Sequence, residues 1–166
     1  MDFKLNEVRT FKFLNREENI TGYILSFKDD WVCIHINNVD LSFDGVMYFQ
    51  KGLVEDVFNT EDDKFLNKIY QARSLNIPNE FYNFNLTLNN ILAFSLKNNE
   101  IVQLETDEED VCYIGLLKII KEKEVIIQTI TSSAKLDELD VYKLNEIQFI
   151  ELQNDYIESL KSVMVK

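Results

Sequence analysis

Histidine, proline and tryptophan each occur once in this 166-residue chain, cysteine twice and glycine four times. Each scarcity removes options. With His35 alone, neither a His-Glu-x-x-His helix nor any two-histidine metal centre fits within one copy. No Gly-x-Gly-x-x-Gly turn, P-loop or Gly-x-Ser-x-Gly elbow is present, and four glycines hide none. Two cysteines cannot make a disulfide framework, so a reduced, cytoplasmic chain is expected. No run approaches 18 apolar residues, which predicts no membrane span. The start, MDFKLNEVRT, lacks a basic segment followed by an apolar run, so no signal peptide is expected. With Gly and Pro rare, turns must lean on Asn and Asp, which tolerate left-handed and Asx-turn geometry. Asn-Asn at 37–38, 89–90 and 98–99 and Asp-Asp at 29–30 and 62–63 supply them.

What is plentiful is apolar side chain and negative charge. At 46% apolar the chain can bury a core and is not disordered. The net charge of −12 is unevenly spread: −4 over residues 1–58, zero over 59–99 and −8 over 100–166. Such a surface repels nucleic acid phosphates, which Lys and Arg normally neutralise. It steers a basic partner at long range. A protein partner is therefore expected, with a basic one favoured, and nucleic acid is argued against.

Slid against itself by 93 residues, the chain aligns without a gap. Glu7 meets Glu100, Gly22 meets Gly115, Lys28 meets Lys121, Val32 meets Val125, Ile34 meets Ile127 and Asp44 meets Asp137. Apolar meets apolar at Val8/Ile101, Phe11/Leu104, Ile24/Leu117, Phe27/Ile120, Phe43/Leu136, Phe49/Tyr142, Val54/Ile147 and Val57/Ile150. Residues 7–58 and 100–151 thus read as two copies of one small β unit.

Gly22–Asn37 reads as a hairpin around Lys28-Asp29-Asp30, and Gly115–Ile130 as its copy around Lys121-Glu122-Lys123. Strand alternation points Val32, Ile34, Val125 and Ile127 to the core. Trp31, Cys33 and His35 share the opposite, half-exposed face. Val8–Leu14 and Ile101–Thr106 read as a further strand each, and Phe43–Val57 and Leu136–Ile150 as two short strands each. Five short strands per repeat suggest a small barrel or sandwich. Between the repeats, Asp62–Arg73 places Phe65, Ile69 and Ala72 at helical spacing, and Ser74–Asn79 is a loop broken by Pro78. Thr87 then caps a helix, Leu88–Lys97. Phe81, Tyr82 and Phe84 read as an apolar cap between the barrels. A last helix near Asp155–Ser162 places Tyr156, Ile157 and Leu160 on one side.

The strand, the hairpin with an acidic turn and the paired strands resemble the Sm-like barrel, a strongly bent five-stranded sheet. The residues that carry the likeness are Gly22, Phe27, Asp29 and Val32–Ile34, then Asp44-Gly45 and Lys51-Gly52-Leu53-Val54. The helix Leu88–Lys97 directly before Ile101 resembles that fold's N-terminal helix. The whole chain is also similar to a bacterial family with two such units and a helical insert. RNA-binding Sm proteins carry Asn after the acidic turn and an Arg-Gly-Asn-type loop. Here those places hold Asp30-Trp31 and Lys51-Gly52-Leu53, or Lys123-Glu124 and Asn145-Glu146. The resemblance therefore implies the fold and not the RNA binding.

The expected architecture is mainly β with an α insert: two tandem Sm-like or SH3-like barrels made by internal duplication. Residues 1–58 form the first repeat, 59–99 the helical insert and 100–166 the second repeat with a C-terminal helix. Cys33 and His35 stand roughly 6.5 Å apart at Cα on one strand. Without a third orienting group they read as a strand face and not a catalytic dyad. Glu105, Asp107, Glu108, Glu109 and Asp110 lack the spacing of a calcium loop and read as a solvated loop. They are the candidate partner-binding residues, with Trp31 and His35. No catalytic residue, metal or cofactor is expected. The expected role is non-enzymatic protein–protein interaction, the alternatives being an acidic immunity-type inhibitor of a basic nuclease and an RNA-binding Sm-like regulator.

Overall fold

Ten antiparallel strands and three helices make up the computed structural model, which describes residues 3–37, 44–73, 79–108 and 111–164. The protein is mainly β and divides into two units, Met1–Thr87 and Leu88–Lys166. In the first unit β1 is Val8–Phe13, β2 Ile20–Lys28, β3 Trp31–Ile36, β4 Val46–Gln50 and β5 Val54–Phe58, followed by α1, Glu61–Arg73. Their order across the sheet is β5-β1-β2-β3-β4. The second unit begins with α2, Leu88–Asn98. It continues with β6 Ile101–Glu105, β7 Cys112–Ile120, β8 Glu124–Ile130, β9 Leu136–Lys143, β10 Phe149–Leu152 and α3 Asp155–Val163. Its order is β10-β6-β7-β8-β9. Within each unit the strands form a row with two ends, not a closed ring. No helix among the described residues is long and apolar enough to cross a membrane.

The pairing register of the second unit repeats that of the first 93 residues on. Val8 opposes Tyr23, and Ile101 opposes Leu116. Phe11 opposes Val57, and Leu104 opposes Ile150. Val32 opposes Phe49, and Val125 opposes Tyr142. The second strand of each unit bulges at the same place, between Ile24 and Ser26 and between Leu117 and Ile119. After the fourth strand each chain makes a 3-10 turn, Lys51–Leu53 and Leu144–Glu146. Lys51 N–H donates to the Asp30 carbonyl at 2.7 Å, and Leu144 N–H to the Lys123 carbonyl at 2.9 Å. Both turns are thereby tied to the tips of their hairpins. Phe43, which the 93-residue alignment pairs with Leu136, lies outside the described residues, as does Pro78.

The inward positions agree with strand alternation: Val32, Ile34, Val125 and Ile127 have no exposed surface. The opposite face of β3 corrects the expectation. Trp31 is only 5% exposed and Cys33 is fully buried, and the carbonyl of Phe81 lies over Cys33 and Tyr48. There it accepts the Tyr48 hydroxyl at 2.7 Å. Phe81 therefore packs within the first unit. The helical stretch 59–99 is shared out: α1 packs on β1 and α2 on β7. The buried face of α1 is Asp63, Leu66 and Tyr70, while Phe65 is 56% exposed. Asp63 is buried because it is fully used. Its carboxylate accepts the Thr60 N–H at 2.7 Å and the Thr10 hydroxyl at 2.9 Å, and its own N–H donates to the Thr60 hydroxyl. This reciprocal cap starts the helix and pins it to β1. Cys112 is exposed, against the core or half-buried place expected of a small residue of its type. Tyr156 of α3 is exposed as well, while Ile157 and Leu160 are buried.

Asp29 and Asn99 take left-handed backbone at a hairpin tip and a helix end, as their types allow. The glycines at the crossing of second and third strands have a different reason. A Cβ on Gly22 would stand 2.6 Å from Ile34 Cδ1 and 2.9 Å from the His35 carbonyl oxygen. On Gly115 it would run into the Gln128 carbonyl and Ile127. Gly115→Ala and Gly22→Ala are each expected to cost about 1–3 kcal/mol of stability through overpacking. Gly115→Ala should cost more, since a backbone carbonyl cannot swing aside. Denaturant unfolding of the two variants checks the order.

Candidate functional site: a tyrosine and carboxylate hollow in the second unit

Tyr113 stands at the start of β7 and Tyr142 near the end of β9. In the ladder, Tyr142 opposes Val125 and Gly115 opposes Thr129. On a flat sheet the two tyrosines would sit at opposite corners, roughly 20 Å apart along the strand direction alone at about 3.4 Å per residue. Their ring centroids are 4.5 Å apart. The sheet curls strongly enough to bring the corners together.

The first unit seals this corner with hydrocarbon. There the places of Tyr113, Tyr142 and Thr106, 93 residues earlier, are held by Ile20, Phe49 and Phe13, all buried. Phe13 meets Phe49 edge-on at 5.1 Å. In the second unit Thr106 is too small to fill the place of Phe13. A hollow of about 310 Å³ is left, lined by Thr106, Asp107, Glu108, Tyr113, Val141, Tyr142 and Glu146. The Tyr113 hydroxyl donates to the Glu108 carboxylate, and the Tyr142 hydroxyl donates to Asp140 Oδ2 at 3.4 Å. Thr106 Oγ1 accepts the Glu108 N–H at 3.4 Å. Lys143 answers one charge by donating to Glu146 at 2.6 Å. Asp107, Glu108 and Asp140 keep the hollow negative. The hydrogen bond to Glu108 pushes the Tyr113 phenol up to about 12. Burial, with Asp140 beside it, pushes Tyr142 up as well. Both phenols therefore stay neutral at physiological pH, and their hydroxyls meet carboxylates. Aromatic faces with carboxylates attract an ammonium or guanidinium group.

Of the residues singled out in the sequence, the structure brings Asp107 and Glu108 to the rim of this hollow. Glu105 is half-buried at the end of β6, its carbonyl accepting the Gln148 N–H at 2.9 Å. Glu109 and Asp110 lie outside the described residues. Trp31 and His35 belong to the other unit and offer little surface. Trp31 is core, and His35 lies half-buried with Nδ1 3.5 Å from the Tyr70 hydroxyl. Cys33 and His35 make no reactive pair. The Cys33 thiol donates to the Phe81 carbonyl, and burial pushes its pKa up, the reverse of an activated thiolate. Among the described residues no three His, Cys, Asp or Glu side chains gather to hold a metal ion.

Tyr113, Tyr142, Asp140 and Glu146 escape a composition-based search. The readable signal for them is the 93-residue register, in which Phe13 becomes Thr106 and two apolar residues become tyrosines. A second hollow, of about 290 Å³ in the first unit, lies between β1 and α1 and includes Glu7, Arg9 and Asn67. Its polar groups serve the fold. Arg9 is held by Glu7 and the Val8 carbonyl, and the Val8 N–H donates to Asn67 at 2.7 Å. Searches of protein-family models, curated proteins and solved structures give no match to this chain.

Two titrations report on these environments. The folded Tyr113 pKa lies above the unfolded value of about 10, so its contribution to stability is full below pH 10 and is lost as pH rises through 12. Absorbance near the tyrosinate band should show Tyr113 ionising near pH 12, and Glu108→Gln should bring it down towards the ordinary value. For His35 the sign is opposite. Burial lowers its pKa from 6.5 to about 4, so its contribution is full above pH 6.5 and is lost as pH falls towards 4. His35→Gln, the residue the second unit carries at Gln128, should flatten the fall in melting temperature between pH 6.5 and 4.

Proposed function

We propose that this chain is a non-enzymatic cytoplasmic interaction module, two Sm-like or SH3-like barrels made by tandem duplication, whose second unit binds a basic protein. The duplication is supported by the pair-by-pair register, the coincident bulges and the matched 3-10 turns. The barrel reading is supported by the curl that brings Tyr113 against Tyr142. The observation that carries the function is the hollow itself. Two neutral phenol rings and an excess of carboxylate suit a Lys or Arg side chain and repel phosphate. An acidic inhibitor of a basic nuclease is the same chemistry in one biological setting. An RNA-binding role is disfavoured by carboxylates where a phosphate would approach.

The test is titration of the full chain with a short oligolysine peptide and, separately, with single-stranded RNA over a range of salt. Oligolysine should bind, more weakly as salt rises, since exposed charges are screened within about 10 Å at 0.1 M. The Asp107→Asn, Glu108→Gln, Asp140→Asn triple variant should bind several-fold more weakly. Its stability should be unchanged or slightly raised, because like charges are removed. RNA binding tighter than oligolysine binding would overturn the reading.

A further inference from the structure

The fourth strand of the second unit differs from that of the first in one respect that goes beyond the hollow. In the first unit Ser26, Cys33 and Tyr48 stand side by side across β2, β3 and β4, on the face away from Val32 and Ile34. The chain covers this row itself: Tyr48 and Cys33 both donate to the carbonyl of the buried Phe81. In the second unit the same register positions are Ile119, Ile126 and Val141. This row is more apolar than its counterpart and lies open. Ile119 is 50% exposed and Val141 55%, and Leu139, two residues along the same face, is 61% exposed. Val46, the counterpart of Leu139, is buried.

β9 is also an edge. Among the described residues its one strand neighbour is β8, so the backbone groups along its other side face no strand. Its two faces differ in chemistry. Leu139 and Val141 point to the apolar row, Val141 also reaching the rim of the hollow, whereas Asp140 and Tyr142 point to the side of the hollow, with Tyr113 and Glu108. A strand added to this edge would send alternate side chains to the two faces. One set would meet carboxylates and phenols, the other leucine and valine.

We infer that β9 receives an added β-strand from its partner, a segment in which Lys or Arg alternates with apolar residues. This rests on the basic-partner reading and specifies its mode. Backbone hydrogen bonds along β9 supply part of the affinity, and the two faces select the sequence. Charge decides the occupant. β9 carries Asp137, Glu138 and Asp140 against Lys143. The end strand of the first unit, β5, carries Glu55 and Asp56, so edge-to-edge pairing with a second copy sets like charges together. A basic segment meets no such opposition.

The probe is a synthetic peptide alternating Lys and Val over the eight-residue length of β9, titrated into the full chain. Two isomers of it are N-methylated, one on the odd residues and one on the even, so that charge and composition are equal. In an added strand only one of these sets faces β9. One isomer should therefore bind at least about tenfold more weakly than the parent, the loss expected for one or two net hydrogen bonds, and the other about as well. Leu139→Ser with Ile119→Ser, both surface positions outside the lining of the hollow, should weaken the parent peptide and leave oligolysine binding unchanged. If both isomers bind like the parent, strand addition is wrong while the basic-partner reading stands. If neither the peptide nor oligolysine binds, both fall. A concentration-dependent dimer abolished by Val141→Lys would assign the edge to a second copy instead.

Discussion

At the crossing of second and third strands a glycine in each unit leaves no room for a Cβ, and the rest of each sheet is built outward from it. Gly22 lies against Ile34 and the His35 carbonyl, and Gly115 against Ile127 and the Gln128 carbonyl. Two residues on, the second strand bulges, which adds twist and bends the sheet over its own apolar face. With register pinned at that point, the inward residues of β3 and β8 are fixed, because a slip of one residue would turn Val32 and Ile34 outward. The hairpin tip then holds the 3-10 turn after the fourth strand, and the fifth strand returns to pair with the first. The curl that creates the tyrosine hollow is a consequence of the same glycine and bulge.

On this common frame the two units finish their surfaces differently. The first is sealed twice over. Phe13 and Phe49 fill one corner, and Phe81 covers the outer face of β3 and β4. α1 is locked down by a carboxylate, Asp63, whose oxygens are spent on Thr60 and Thr10. The second unit keeps the core positions and gives up the seals. Thr106 replaces Phe13, tyrosines replace Ile20 and Phe49, and Val141 stands open where Tyr48 is covered. Such substitutions relax packing at the rim and leave Val125 and Ile127 untouched, so they change what the unit presents without changing how it folds.

The frame was legible in the sequence because it is written in local, periodic terms. Apolar alternation located the strands and hairpins, the matched glycine supported the repeat, and the Asp and Asn pairs marked turns at Asp29 and Asn99. What was not legible depends on partners distant in sequence. The helical spacing of Phe65, Ile69 and Ala72 does not mark the buried face of α1, since nothing local says that Asp63 will be buried once Thr10 and Thr60 satisfy it. Cys33 reads as half-exposed because its cover comes from a carbonyl 48 residues further along the chain. Ala134 and Gln153 adopt left-handed backbone that their types do not announce. In the candidate site, Asp107 and Glu108 were visible as charge. Tyr113 and Tyr142 were not, because they meet only through curvature, and curvature has no sequence period.

An open strand edge flanked by leucine and valine is ordinarily a hazard, since it offers unpaired backbone and apolar surface to any other extended chain. Natural sheets blunt such edges with charge, bulges or a covering segment. The second unit uses charge of one sign. Asp137, Glu138 and Asp140 repel the acidic strands of further copies of the same chain, while leaving the backbone donors and acceptors of β9 intact. Lysine on an edge would blunt it equally well against self-pairing. Carboxylates do so selectively: they exclude acidic strands and admit basic ones. That the most acidic third of the chain also holds its least covered strand is therefore consistent as physics, because the same side chains that keep the edge from pairing with itself define what it can pair with.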